Sequence, residues 1–178
     1  MTIVKKILII VLLIVGLTAL GILDYSDRTI IYSKYTPAKE LKEFYLYKTI
    51  AEVKHAYEKH FQDSEYRFPR ATVKKVVIYK NLPIFSRLTG KEVDKSLFLD
   101  FVNNPDNFSW NETTWSLDES EYIIRFYDHS NNEKGKIWLC LNKCGMTESI
   151  PFAPTMKFGG LSSAGKLRLL KIINDIYD

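Results

Sequence analysis

Cysteine and histidine are scarce in this chain, with two and three copies among 178 residues. A scaffold stapled by several disulfides is thereby excluded, as is a zinc centre built from four cysteines. A mixed centre would have to bring His55, His60 or His129 to Cys140 and Cys144. His129 falls at the turn of an expected hairpin, roughly 13 Å of strand rise from Cys140. His55 and His60 are five apart on an expected helix and point away from each other. Neither a metal nor a cofactor is expected.

An excess of charge of one sign is also missing. The net charge is +4, and setting aside Lys5 and Lys6, which precede an apolar leader, leaves +2 from residue 24 onward. So even a balance gives no basic face for nucleic acid. Repeats and low-complexity tracts are absent too. What remains, at 46% hydrophobic and 26% charged, is the composition of one ordinary globular domain.

One long hydrophobic run stands out. Ile7 to Leu23 carries no charge and spans about 25 Å as a helix, close to the thickness of a bilayer's hydrocarbon core. Lysines before it and Asp24 and Asp27 after it predict an N-terminus in the cytoplasm and a C-terminal domain outside. Residues 1–23 are read as an anchor, 24–36 as a tether or edge strand, and 37–178 as the extracytoplasmic domain. Ala19-Leu20-Gly21 offers a signal-peptidase site as the competing reading, but the run is longer than a usual signal core. The lysine-flanked leader and the Lys, Ile and Asn usage fit a single-pass protein of a bacterial inner membrane.

Beyond the leader the expected class is α+β: a mostly antiparallel sheet packed with about three helices. Helical periodicity covers Ala38 to His60, Asp94 to Val102 and Leu161 to Tyr177. Ser162 or Ser163 caps the last of these, and Leu167, Leu170, Ile173 and Tyr177 form its inner side. Strands are expected over Thr72 to Tyr79, Phe108 to Leu117, Glu121 to Asp128 and Lys136 to Leu141, with His129 to Gly135 as a hairpin turn and a loop after Leu141. In that hairpin Tyr122, Ile124 and Phe126 share one face and Ile123, Arg125 and Tyr127 the other, both apolar enough to be partly covered.

In an oxidising compartment Cys140 and Cys144 are expected to pair, which requires a turn at Leu141 to Lys143 because residues four apart on a strand cannot meet. Closing so small a loop contributes about 2 kcal/mol in the chain-entropy model. Gly160 to Lys166 matches a phosphate loop except that Leu167 replaces the magnesium-binding hydroxyl, so it reads as a helix start. Ser163 and Lys166 fit a serine–lysine nucleophile pair without its companion motifs. Glu52 and His55 form a single E-x-x-H, whereas a di-iron bundle needs two such motifs and two further glutamates on four helices, so the pair reads as a solvated helix face.

Chemistry this sparse favours binding. The chain is expected to be a membrane-anchored domain that binds another protein, as a subunit of an envelope complex or as an immunity or inhibitor protein. Its binding side chains are expected among Trp110, Trp115, Trp138, Phe152 and Phe158, with Phe108 nearby. The alternative is a small periplasmic hydrolase using Ser163 and Lys166, or a carboxylate pair such as Asp118 and Glu121.

Overall fold

A computed structural model describes residues 3–34, 49–60, 67–83, 85–110, 119–151, 153–158 and 160–177. Helix α1 runs Ile3–Lys34, and its apolar part, Ile3–Ile22, is long enough to cross a membrane with none of it buried against the rest of the protein. Within it the Thr18 hydroxyl donates to the Ile14 carbonyl at 2.8 Å, so the one polar side chain after Lys6 in this stretch is satisfied internally. Helix continues past Leu23 over most of the stretch expected as tether or edge strand, which removes the strand alternative there.

Helix α2 spans Ile50–His60, and the part of the expected helix before Thr49 lies outside the described residues. Thr49 and Glu52 form a reciprocal capping box: the Glu52 carboxylate accepts from the Thr49 backbone N–H at 3.0 Å, and the Thr49 hydroxyl accepts from Glu52 N–H at 3.2 Å. Glu52 of the E-x-x-H pair is therefore a cap. Val53 and Tyr57, four apart, bury the inner face of the helix.

The α+β expectation holds. Five strands, β1 (Lys75–Lys80), β2 (Lys91–Val93), β3 (Tyr122–Tyr127), β4 (Glu133–Cys140) and β5 (Met146–Ile150), form an antiparallel sheet in the order β2-β1-β3-β4-β5. The strand expected from Phe108 to Leu117 is not formed where it is described: Phe108 makes one isolated bridge to Leu161, and Trp110 has a positive φ of 57° that no strand tolerates. Residues 111–117 lie outside the described set. β2 and β5 were not anticipated. Three residues beginning Lys-Glu suit a short, charged edge, and Met-Thr-Glu-Ser-Ile lacks a β-branched run, so β5 exists through its pairing with β4. The hairpin turn is tighter than expected because Asp128 closes it, accepting from the N–H groups of Ser130 at 2.8 Å and Asn132 at 2.9 Å.

One face of the sheet makes the core. Val76, Ile78, Ile124, Phe126, Ile137 and Leu139 lie against Tyr57, Phe98, Phe101, Leu169 and Ile173. Phe68 meets Phe126 edge to face at 5.1 Å, a geometry that ring quadrupoles favour. The opposite face is also buried, although it carries charge. Ile123 packs with Trp138, while Arg125 and Lys136 both pair with Glu133 and lie over the rings of Tyr79 and Trp138.

Helix α3 (Lys95–Asn103) starts at Asp94, whose carboxylate accepts from Leu97 N–H at 2.9 Å. The one-turn α4 (Pro154–Phe158) follows β5. Helix α5 (Ser163–Tyr177) is capped by Ser162, whose hydroxyl accepts from Gly165 N–H at 3.0 Å. Its inner side matches the expected one at Ile173, Leu170 and Tyr177 but not at Leu167, which is 69% exposed, while Leu169 and Ile172 are buried in addition. The reason is a backbone contact. Gly165 sits so close to Asn107 in the 3-10 turn Pro105–Asn107 that a methyl group there would overlap the Asn107 carbonyl. Docking through Gly165 turns the i+4 and i+7 positions, Leu169 and Ile172, inward and Leu167 outward.

Gly165→Ala should therefore destabilise the protein by about 1–3 kcal/mol through overpacking, whereas Ala164→Gly on the exposed side should cost about 1 kcal/mol or less. Denaturant melts of the two variants give the comparison. A second test concerns Asp128, whose carboxyl is lowered from its ordinary 3.8 to about 2, first by the Asn132 backbone N–H. A lowered native pKa stabilises the fold above the unfolded value, and that contribution is lost as pH falls through about 2. Wild type and Asp128→Asn should differ in thermal stability at pH 6 and converge as the pH drops below 3.8 toward 2.

Candidate functional site

Side chains that could meet a partner gather at the two ends of the sheet. At one end, next to the Asp128 turn, a groove of about 770 Å3 opens between residues 67–72 and α3. Ser96, Leu99, Asp100 and Asn103 form its helical wall, a stripe at i, i+3, i+4 and i+7, while Phe98, Phe101 and Val102 point into the core. The other wall is a bent segment held by Asn103, whose side-chain oxygen accepts from Phe68 N–H at 2.6 Å. Its amide donates to the Phe68 carbonyl at 2.8 Å and to Leu99 O at 2.9 Å. A buried amide with all these bonds made fixes both walls at once.

What the groove presents to solvent is mixed. Arg67 and Arg70 lie on the segment, Thr72 and Ser96 bring hydroxyls, Asp100 stands on the helix, and Leu99 and Pro69 supply apolar surface. The volume lies in the range of small-ligand and peptide pockets. Guanidinium donors on one side and a carboxylate acceptor on the other suit an extended segment carrying both kinds of group.

At the opposite end lie the disulfide and the β1–β2 connection. Cys140 and Cys144 are bonded, with Cα atoms 5.6 Å apart, and Gly145 with φ of 62° lets the chain enter β5. Glu121 builds the turn. One carboxylate oxygen accepts from Leu141 N–H at 2.8 Å, Asn142 N–H at 2.7 Å and the Asn142 amide at 3.3 Å. Lys166 donates to the Asn142 carbonyl at 3.3 Å and Leu161 N–H to the Gly145 carbonyl at 2.6 Å, which ties the turn to the start of α5.

The described parts of the next connection, residues 81–83 and 85–90, are equally well held. Ser86 donates its hydroxyl to Lys80 O at 2.8 Å, and Thr89 accepts from Lys80 N–H at 2.8 Å while donating to Ser86 O at 2.6 Å. The Tyr177 hydroxyl lies 3.2 Å from Ile78 O and 3.3 Å from Thr89 O. Burial pushes that hydroxyl up to about 12, so it stays protonated and donates. Polar groups thus point into the loop, and Leu82, Phe85 and Leu88 point out.

The sequence-predicted residues fall in four places. Trp110 and Trp138 are buried at 4% and 1% exposure, and Phe108 joins them in the interior. Trp110 packs at a tilt against Tyr57 with ring centroids 5.5 Å apart and donates its indole N–H to Pro105 O, which leaves it no face for a partner. Trp115 and Phe152 lie outside the described residues, as does the side chain of Phe158. Ser163 is an exposed first-turn residue of α5, and Lys166 is engaged with Asn142 O rather than with it, so the structure does not bring the pair together. Asp118 is outside the described residues, and Glu121 is the clamp of the disulfide turn.

Among the described residues no group of three or more His, Cys, Asp or Glu side chains could hold a metal ion. The groove had one faint signal, Arg-Phe-Pro-Arg at 67–70, and the exposed loop had one in Leu82, Pro83, Phe85 and Leu88 set among turn residues. No protein-family model matches the chain, and no curated protein or solved structure matches it.

Removing the Glu121 carboxylate leaves two backbone N–H groups without their acceptor. Glu121→Ala should destabilise the domain by about 2 kcal/mol or more and make the Cys140–Cys144 bond easier to reduce. Melts with and without dithiothreitol, beside a Cys140→Ser, Cys144→Ser variant, measure both effects. If Glu121→Ala destabilises that cysteine-free variant as much as wild type, the carboxylate and the disulfide are not coupled.

Proposed function

We propose that this chain is a single-pass membrane protein whose α+β domain lies outside the cytoplasm and binds another protein, as a subunit of a bacterial envelope complex or as an immunity or inhibitor protein. The observation that carries the binding assignment is the groove between residues 67–72 and α3, with arginines on one wall and Asp100 on the other. It takes the place of the tryptophans as the binding surface. The apolar Ile3–Ile22 helix and the bonded cysteines support the location, because a disulfide persists outside the reducing cytoplasm. Lysines at the cytoplasmic end of the helix support the orientation.

The partner contributes an extended segment to the groove. Its acidic groups meet Arg67 and Arg70, its amides meet Asp100, and its apolar side chains rest on Leu99 and Pro69. The rigid hold of Asn103 on Phe68 means the groove is formed before the partner arrives, which lowers the ordering cost of binding.

Photo-crosslinking in cells of the native source tests this directly. A photoreactive residue at Thr72 or Ser96 of the full chain should give one discrete higher-mass adduct, and the same residue at Ser130, on the exposed hairpin turn, should give none. Arg67→Glu should reduce the adduct about ten- to hundredfold, the range of a lost charge-assisted hydrogen bond. Equal labelling at Ser130, or an adduct indifferent to Arg67→Glu, overturns the assignment. A C-terminal alkaline phosphatase fusion should be active, as expected of a domain outside the cytoplasm.

A further inference from the structure

The connection between β1 and β2 has its polarity inverted for a solvent loop. Ser86 is buried at 5% exposure, with its hydroxyl turned onto Lys80 O, while Leu82, Phe85 and Leu88 stand out at 38%, 39% and 71% exposure. Pro83 is exposed beside them. Phe85 also has φ of 70° and ψ of 14°, the left-handed region, which an aromatic side chain occupies only when surrounding bonds enforce it. Those bonds are in place: Leu88 N–H donates to Phe85 O at 2.9 Å, and Thr89 closes the turn onto Ser86 and Lys80. The strain holds an apolar tip outward instead of letting it fold onto the core.

The same stretch carries Lys80, Arg87 and Lys91, all exposed, with Glu92 as its single exposed acid and the Lys80 ammonium over the Tyr177 ring at 4.8 Å. An apolar wedge rimmed by cations matches the headgroup region of an anionic bilayer, where aliphatic and aromatic side chains enter the interface and basic side chains stay at the phosphates. Such a surface is within reach. Helix α1 ends at Lys34, and residues 35–49 can span no more than roughly 50 Å before α2 begins at Ile50. The anchored domain therefore meets lipid at a high effective concentration, where even weak contacts are populated.

We infer that the 81–90 loop is a second membrane contact, docking Leu82, Phe85 and Leu88 onto an anionic lipid surface and so fixing which end of the sheet faces the bilayer. The inference rests on the anchored reading of α1. With the loop at the membrane, the groove at the opposite end of the sheet is presented outward, toward a partner.

The test uses the full chain in proteoliposomes, with an environment-sensitive fluorophore on Leu88→Cys and, separately, on Ser130→Cys; the native cysteines are paired and do not take the label. In vesicles containing phosphatidylglycerol, the Leu88 probe should shift its emission to the blue and be quenched by lipid-borne nitroxides, and the Ser130 probe should do neither. Arg87→Glu with Lys91→Glu should abolish the shift. Flotation of the vesicles reports the anchor independently, so a chain that fails to float overturns the anchored reading. A chain that floats with an aqueous Leu88 probe overturns the loop contact alone, as does a shift of equal size in purely zwitterionic vesicles. A shift that appears only after membrane-protein extract is added makes the loop a protein contact and likewise overturns it.

Discussion

A central hairpin buried on both faces is the constraint to which the rest of the domain answers. β3 and β4 pair from Tyr122 to Tyr127, and their alternating side chains leave no solvent side: Ile124, Phe126, Ile137 and Leu139 turn to the helices, and Ile123, Arg125, Lys136 and Trp138 to the other face. A strand pair with this pattern cannot stand alone in water. Burial of each large apolar side chain contributes about 1.5–3 kcal/mol, so α2, α3 and α5 are held mainly through what they cover. The charged members of the second face are tolerated because Glu133 meets both Arg125 and Lys136 and because Tyr79 and Trp138 offer ring faces to their cations.

Antiparallel pairing then separates the two ends of the sheet. Lys80 pairs with Tyr122 and Lys75 with Tyr127, so the segment entering β1 and the β3–β4 turn share one end, while the segment leaving β1, Glu121 and the disulfide turn share the other. The groove belongs to the first end and the apolar loop to the second. A membrane contact at one end and a protein contact at the other are thus compatible in one rigid unit.

Each end is fixed by one polar residue with several bonds. Asn103 joins Phe68 to α3, and Glu121 joins the start of β3 to the turn after β4. Both act through backbone N–H and C=O groups, whose positions a sequence does not disclose. Glu121 therefore invited a catalytic reading as one half of a carboxylate pair, and Asn103 invited none. The tryptophans illustrate the same limit. Trp110 and Trp138 have the composition of an interface, yet their place inside the domain follows from the 3-10 turn after α3 and from β4 being a central strand.

Determined by the sequence alone were those features whose cause is local: the apolar helix, from an uninterrupted run without charge; β1, β3 and β4, from β-branched and aromatic alternation; α3, from helical periodicity over Asp94 to Val102; and the need for a turn between Cys140 and Cys144, from strand geometry. The tertiary structure decided whatever depends on a distant neighbour. β2 and β5 are strands because β1 and β4 offer them hydrogen bonds, not because Lys-Glu-Val or Met-Thr-Glu-Ser-Ile prefers extension. The inner face of α5 is set by the contact of Gly165 with Asn107, 58 residues earlier, against a periodicity that favoured Leu167. The groove and the loop exist because backbone hydrogen bonds between segments far apart in the chain hold their walls in place, and a linear pattern of side chains carries no record of such pairings.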